Sequence, residues 1–192
     1  MVVGVAGKLG AGKSSVAGLL ADAGWRVIDV DLLGHRALVT ERDRIVDVFG
    51  RGVLDSEGRI DRRRLGPLVF ANADARRRLD VIVHPVMVRS VKTLVEADPS
   101  RTAIDAALLN PMRLDALCDL VLWVHAPLLL RLYRALVVDR KPRATVLAAM
   151  WAQRGRRLKR PVGGVDTRSV SRRTIYNGAT RGMLRRQIEF IL

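Results

Sequence analysis

A chain of 192 residues is long enough to bury a core, and it fits one domain with room for a small insert. Its single cysteine, Cys118, excludes an internal disulfide and suits a reducing, cytoplasmic compartment. The net charge of +15 points to an anionic partner, such as a nucleotide, the phosphates of a coenzyme, or nucleic acid.

The chain opens with a β-branched run at Val2, Val3 and Val5, which predicts a strand and leaves no signal peptide to expect. Gly7-Lys8-Leu9-Gly10-Ala11-Gly12-Lys13-Ser14 follows and matches Gly-x-x-x-x-Gly-Lys-Ser/Thr, the phosphate-binding loop. Val16, Leu19, Leu20 and Ala23 then recur at helical spacing. Strand, glycine-rich turn and helix are the context the motif needs. Backbone N–H groups from Gly7 through Ala11 to Ser15 are expected to cradle phosphate oxygens at a helix N-terminus. Lys13 supplies a point charge for the outer phosphates of ATP, and the Ser14 hydroxyl is suited to ligate Mg²⁺.

Trp25 to Asp31 predicts a second strand ending in two acids, Asp29 and Asp31. In a parallel α/β sheet those acids would face the phosphate loop beyond the strand ends. There an acid would take a proton from an attacking hydroxyl. Equally, Asp31 precedes Leu32-Leu33-Gly34-His35 and suits a helix N-cap. Residues 41–49 predict an amphipathic helix stopped by Gly50 and Gly52, and Asp55-Ser56-Glu57-Gly58 predicts a turn. Helical spacing resumes from Ile60 to Phe70, breaks at Asn72-Ala73-Asp74, and returns from Ala75 to Val83. His84-Pro85 predicts a second break, with a new helix from Pro85 to about Ala97.

Arg101 to Asp105 predicts a short third strand whose terminal acid either orders Mg²⁺ or caps a loop. Asp119 to Val124 predicts a buried strand. The apolar stretch from Leu120 to Leu130 holds His125 and Pro127 and is too short to span a bilayer. Pro127 to Val138 predicts a helix carrying Arg131 and Arg134, and Arg143 to Arg157 predicts another, with Leu147, Met150 and Trp151 as core residues. Pro161 to Gly164 marks a loop, Ser171 to Tyr176 a last strand, and Thr180 to Leu192 a closing helix. Residues 154–186 hold one acid, Asp166, among many arginines. Aromatic residues for base stacking are scarce, so the basic excess is expected to serve phosphorylated small molecules rather than nucleic acid.

Taken together, these segments resemble the dephospho-CoA kinase family from Met1 to about Arg134. Val27-Ile28-Asp29-Val30-Asp31 looks like its Val-Ile-Asp-Ala-Asp segment. Asp55 to Phe70 looks like a substrate-side segment, Ile82-Val83-His84-Pro85 carries its His-Pro, and Asp105-Ala106-Ala107-Leu108-Leu109 looks like its Asp-x-Pro-Leu-Leu. The resemblance implies an α/β P-loop kinase fold with a parallel sheet of about five strands. It implies phosphorylation of the 3′-hydroxyl of dephospho-CoA by ATP with Mg²⁺. Asp31 would be the general base, Lys13 and Arg134 would stabilise transferred charge, and Asp29, His84 and Asp105 would lie on the substrate side. Within one domain, 1–40 and 99–126 would form the nucleotide core and 41–98 a helical coenzyme-binding insert. Residues 127–160 would form a lid, and 161–192 the closing strand and helix. The family usually has Phe-Glu where this chain has Asn110-Pro111, and a second arginine where it has Val138. Its Asp-Asn-Gly corresponds to Tyr176-Asn177-Gly178. These departures bear on rate rather than on fold, and other basic residues nearby, including Arg140, Lys141 and Arg143, would substitute. Two rivals remain: a P-loop kinase for another metabolite or nucleotide, and a catalytically weak nucleotide- or nucleic-acid-binding protein.

Overall fold

The computed structural model describes residues 1–107, 109–138, 146, 150, 170–178 and 180–192. The helix predicted over 143–157 lies outside these residues except for Val146 and Met150, as do Arg140, Lys141 and the loop at 161–164.

Chain contacts divide the molecule into two compact units, residues 1–28 with 95–192, and residues 29–94. The first unit is built on a parallel five-stranded sheet. Its strands are β1 (Val2–Gly7), β2 (Arg26–Asp29), β3 (Thr102–Asp105), β4 (Leu120–His125) and β5 (Ser171–Tyr176). Their spatial order is β2-β3-β1-β4-β5. β1 runs parallel to both β3 and β4, and β4 runs parallel to β5. The middle strand is apolar throughout because neighbouring strands and covering helices leave it no solvent face. Every residue of β1 is buried.

Two helices of this unit matter for the site: α1 (Lys13–Asp22), which follows the glycine-rich turn, and the closing helix, Arg181–Ile191. Val16 and Leu20 of α1 and Leu184 and Ile188 of the closing helix join Val3, Val5, Leu122 and Ile175 in one core. Each such side chain stabilises the fold by about 1.5–3 kcal/mol on burial. The closing helix starts where the Thr180 hydroxyl accepts the Met183 N–H at 3.3 Å. Gln187 then bonds both the N–H and the C=O of Tyr176, each at 3.0 Å, and so fastens this helix to the end of β5.

The second unit is helical. It holds α2 (Val30–Thr40), α3 (Arg42–Phe49), α4 (Arg62–Ala71) and most of α5 (Ala73–Ala97). Leu33, Ala37, Ile45, Val53, Leu65 and Met87 are among its buried apolar residues. Gly34 lets α2 approach α5 closely, since a Cβ there would stand 3.2 Å from the Met87 methyl. The predicted turn is present, with the Gly58 N–H on the Asp55 carbonyl at 3.1 Å. The Arg59 backbone amide, above all, holds the Asp55 carboxyl below the usual carboxylate range.

Two expectations are corrected. The second strand ends at Asp29 rather than Asp31, and α2 begins at Val30. Asp29, not Asp31, is the N-cap: its Oδ1 accepts the Leu32 N–H at 3.0 Å, which ends the strand. The break at His84-Pro85 is absent, and α5 runs through Pro85. The carbonyl that loses its helical donor belongs to Val81, an exposed residue, so water can satisfy it. Buried Ile82, Val83, Met87 and Val91 hold the helix on either side.

Candidate functional site

The glycine-rich turn leaves the end of β1 in the middle of the sheet, where ligands of open α/β folds bind. Two of its glycines have left-handed backbones, Gly10 at φ 71° and Gly12 at φ 88°, which L side chains rarely adopt. Gly7 is needed for space: a Cβ there would come within 2.6 Å of the Val124 carbonyl oxygen of β4. Gly12 is the N-cap of α1 and offers no side-chain cap, and the first turn holds no acid. A helix N-terminus with no side-chain cap and an unopposed dipole is an anion site. Lys13, half-buried, and the exposed Ser14 and Ser15 form that first turn.

The outer side of the loop is fastened to residues far away in sequence. After β4 the chain forms α6 (Leu128–Tyr133) and one π-helical turn (Arg134–Val138). Arg131 is buried, and its Nε donates to the Leu9 carbonyl at 2.9 Å. Burial pushes this guanidinium below the ordinary arginine pKa. Arg134 donates to the Ala11 carbonyl at 3.4 Å and to the Asn177 carbonyl and Oδ1 at 3.1 and 3.3 Å. Asn177, buried just past β5, donates from Nδ2 to the same Ala11 carbonyl at 3.0 Å. The His125 carbonyl of β4 accepts the Asn177 backbone N–H at 2.7 Å.

The predicted site residues therefore fall into two groups. Gly7, Gly10, Ala11, Gly12, Lys13, Ser14 and Ser15 form the loop and the helix start, with Arg134 against them. Asp105 is the last residue of β3, paired in register with Val5 of β1, and the Ala106 N–H bonds the Val5 carbonyl at 3.3 Å. Asp29, Asp31 and His84 belong to the second unit. Asp31 lies exposed in the first turn of α2. His84 is half-buried in α5, with Nε2 3.4 Å from Asp80 Oδ1 one turn earlier. Arg131 and Asn177 were not expected at the site. Their sequence signals are an arginine on an apolar helix and, for Asn177, the Asn-Gly pair at a strand end that corresponds to the family's Asp-Asn-Gly.

The family model of dephospho-CoA kinase matches residues 1–165. The dephospho-CoA kinase of Bacillus licheniformis is 34% identical over 160 residues, covering 80% of each chain. The crystal structure of TT1252 from Thermus thermophilus superposes with a TM-score of 0.78 at 26% identity, over 100% of this chain and 95% of that one. Dephospho-CoA kinase from Campylobacter jejuni shares the fold, with a TM-score of 0.61 at 18% identity over 99% and 95% of the two chains. With its phosphate loop and five-stranded parallel sheet, the chain belongs to the dephospho-CoA kinase family.

Proposed function

We propose that this member of the kinase family transfers the γ-phosphoryl group of ATP to the 3′-hydroxyl of dephospho-CoA, giving ADP and coenzyme A. The observation that carries this is the phosphate cradle, a loop with glycines at positive φ that opens a helix whose N-cap has no side chain. Lys13 meets the outer phosphates. Arg134, lying on the Ala11 carbonyl, adds positive charge to the loop during transfer. Asp31 takes the proton of the attacking hydroxyl, and its exposed position leaves it open to substrate. Asp29, His84 and Asp105 serve the substrate side, within a coenzyme-binding helical region over 41–98. The lid expected over 127–160 lies outside the described residues beyond Val138, apart from Val146 and Met150.

Mg²⁺ suits the donors present. The Ser14 hydroxyl is exposed at the helix start, Asp105 ends the strand beside β1, and both offer hard oxygen atoms. When bound, the ion would neutralise charge on the β- and γ-phosphates. The basic excess suits two phosphate-rich ligands.

Lys13→Ala tests the assignment. The variant should fold, because Lys13 is a loop-end residue outside the apolar core. Its phosphoryl transfer should fall by a factor on the order of 10²–10³, as removal of a fixed charge-stabilising donor does elsewhere. Near-parental turnover in a folded Lys13→Ala protein would remove the basis of the proposal.

A further inference from the structure

We propose that Asn177 is a positioning residue for the phosphate loop, fixing the Ala11–Gly12 peptide so that its N–H stays aimed at the phosphates. The role rests on the ATP-site reading above and goes one step beyond it.

A trans peptide holds its C=O and N–H in opposite directions. No cis peptide bond occurs among the described residues. Whatever grips the Ala11 carbonyl therefore sets where the Gly12 N–H points. Asn177 Nδ2 grips it at 3.0 Å, with Arg134 behind at 3.4 Å. Arg131 does the same for the preceding pair: its bond to the Leu9 carbonyl, at 2.9 Å, sets the direction of the Gly10 N–H.

The loop needs this help because of its composition. Gly10 and Gly12 adopt positive φ, and glycine passes between such conformations with little steric penalty. An unfastened peptide next to glycine can rotate and turn its carbonyl toward the anion. Fastening it beforehand is preorganisation: the donors already point inward before a ligand arrives.

Asn177 is itself held for this task. Its backbone N–H is on His125, and its Oδ1 and carbonyl accept from Arg134. Because Oδ1 faces a guanidinium, Nδ2 faces Ala11, which settles the amide orientation. The contact also explains why position 12 must lack a side chain: a Cβ there would lie 2.0 Å from Asn177 Nδ2.

The test measures affinity for two probes, ATP and inorganic tripolyphosphate, each with Mg²⁺, by calorimetry. The proteins are the parent, Asn177→Ala and Asn177→Asp, each with a melting curve. Asn177→Asp keeps the size but offers Ala11 only acceptors, and it carries the test if the alanine variant does not fold. Both probes should bind roughly three- to tenfold more weakly to the variants, the range expected for one lost hydrogen bond. In turnover the KM for ATP should rise, while that for dephospho-CoA should not. If ATP weakens and tripolyphosphate does not, Asn177 reads the nucleoside, and the positioning role is overturned. It is equally overturned if only the melting temperature moves, or if nothing does. A parent that binds neither probe would instead overturn the ATP-site reading, and this role with it.

Discussion

Asp29 and Asp31 stand two positions apart and are bound in different ways. Asp29 accepts the Leu32 amide and caps α2. Asp31 sits exposed in the first turn of that helix. Asp29→Ala should therefore lower stability by about 1 kcal/mol, the usual worth of an N-cap, and should cost less turnover than Asp31→Asn. Asp31→Asn should keep the fold and both substrate affinities while turnover falls by roughly 10²–10⁴-fold. An active Asp31→Asn enzyme, measured beside its melting curve, would show that the base lies elsewhere. Both acids are visible in the sequence, but their division of labour is not. The alternation of apolar and acidic residues from Val27 to Asp31 suits a strand and a first helical turn equally, and only the Asp29–Leu32 bond decides. Cys118 offers a separate check. Burial, with Asp115 and Asp119 nearby, pushes its thiol up to about 12 from 9.0. The raised pKa means that the folded protein keeps the proton longer than the unfolded chain does. This contribution to stability is complete below about pH 9 and is lost as pH rises toward 12. A thiol-reactive dye at neutral pH should label Cys118 only after denaturation, and rapid labelling of the native protein would contradict its burial.

At the scale of elements, periodicity located most strands and helices, because buried faces impose it. β5 and the closing helix fall where the pattern predicts, and so do β4 and α3. α5 shows where local rules yield. The bias of residue 84 away from helix is real, but buried side chains on both sides of Pro85 outweigh it. Pro85→Ala should then restore a donor to the Val81 carbonyl and raise stability by less than the ~3 kcal/mol that proline costs in a regular helix, seen as a higher melting temperature. A lower melting temperature in Pro85→Ala would mean that the helix depends on the irregularity. The fastening of the phosphate loop was illegible for another reason. Arg131 and Asn177 reach Leu9 and Ala11 from 122 and 166 residues away, and no local pattern encodes such contacts.

For the whole molecule, the decisive feature is the sheet order, which sets β1 between β3 and β4 and so delivers the phosphate loop at the sheet's centre. The motif announced the loop, and its glycines announced the conformation. What the sequence did not reveal is how β4, α6 and β5 converge to hold it, because strand order is a long-range property. Among the described residues no helix is long and apolar enough to cross a membrane. The positive charge falls on a member of the dephospho-CoA kinase family, and it suits ligands that carry phosphates. The acceptor defines the activity. Purified protein with ATP and Mg²⁺ should be offered dephospho-CoA beside a panel of nucleosides and hydroxyl-bearing metabolites, and ADP release followed. Dephospho-CoA alone should give rapid release, with the new phosphate on the ribose 3′-oxygen. Faster turnover of another acceptor, or release no quicker with dephospho-CoA than with water, would mean that dephospho-CoA is not the substrate.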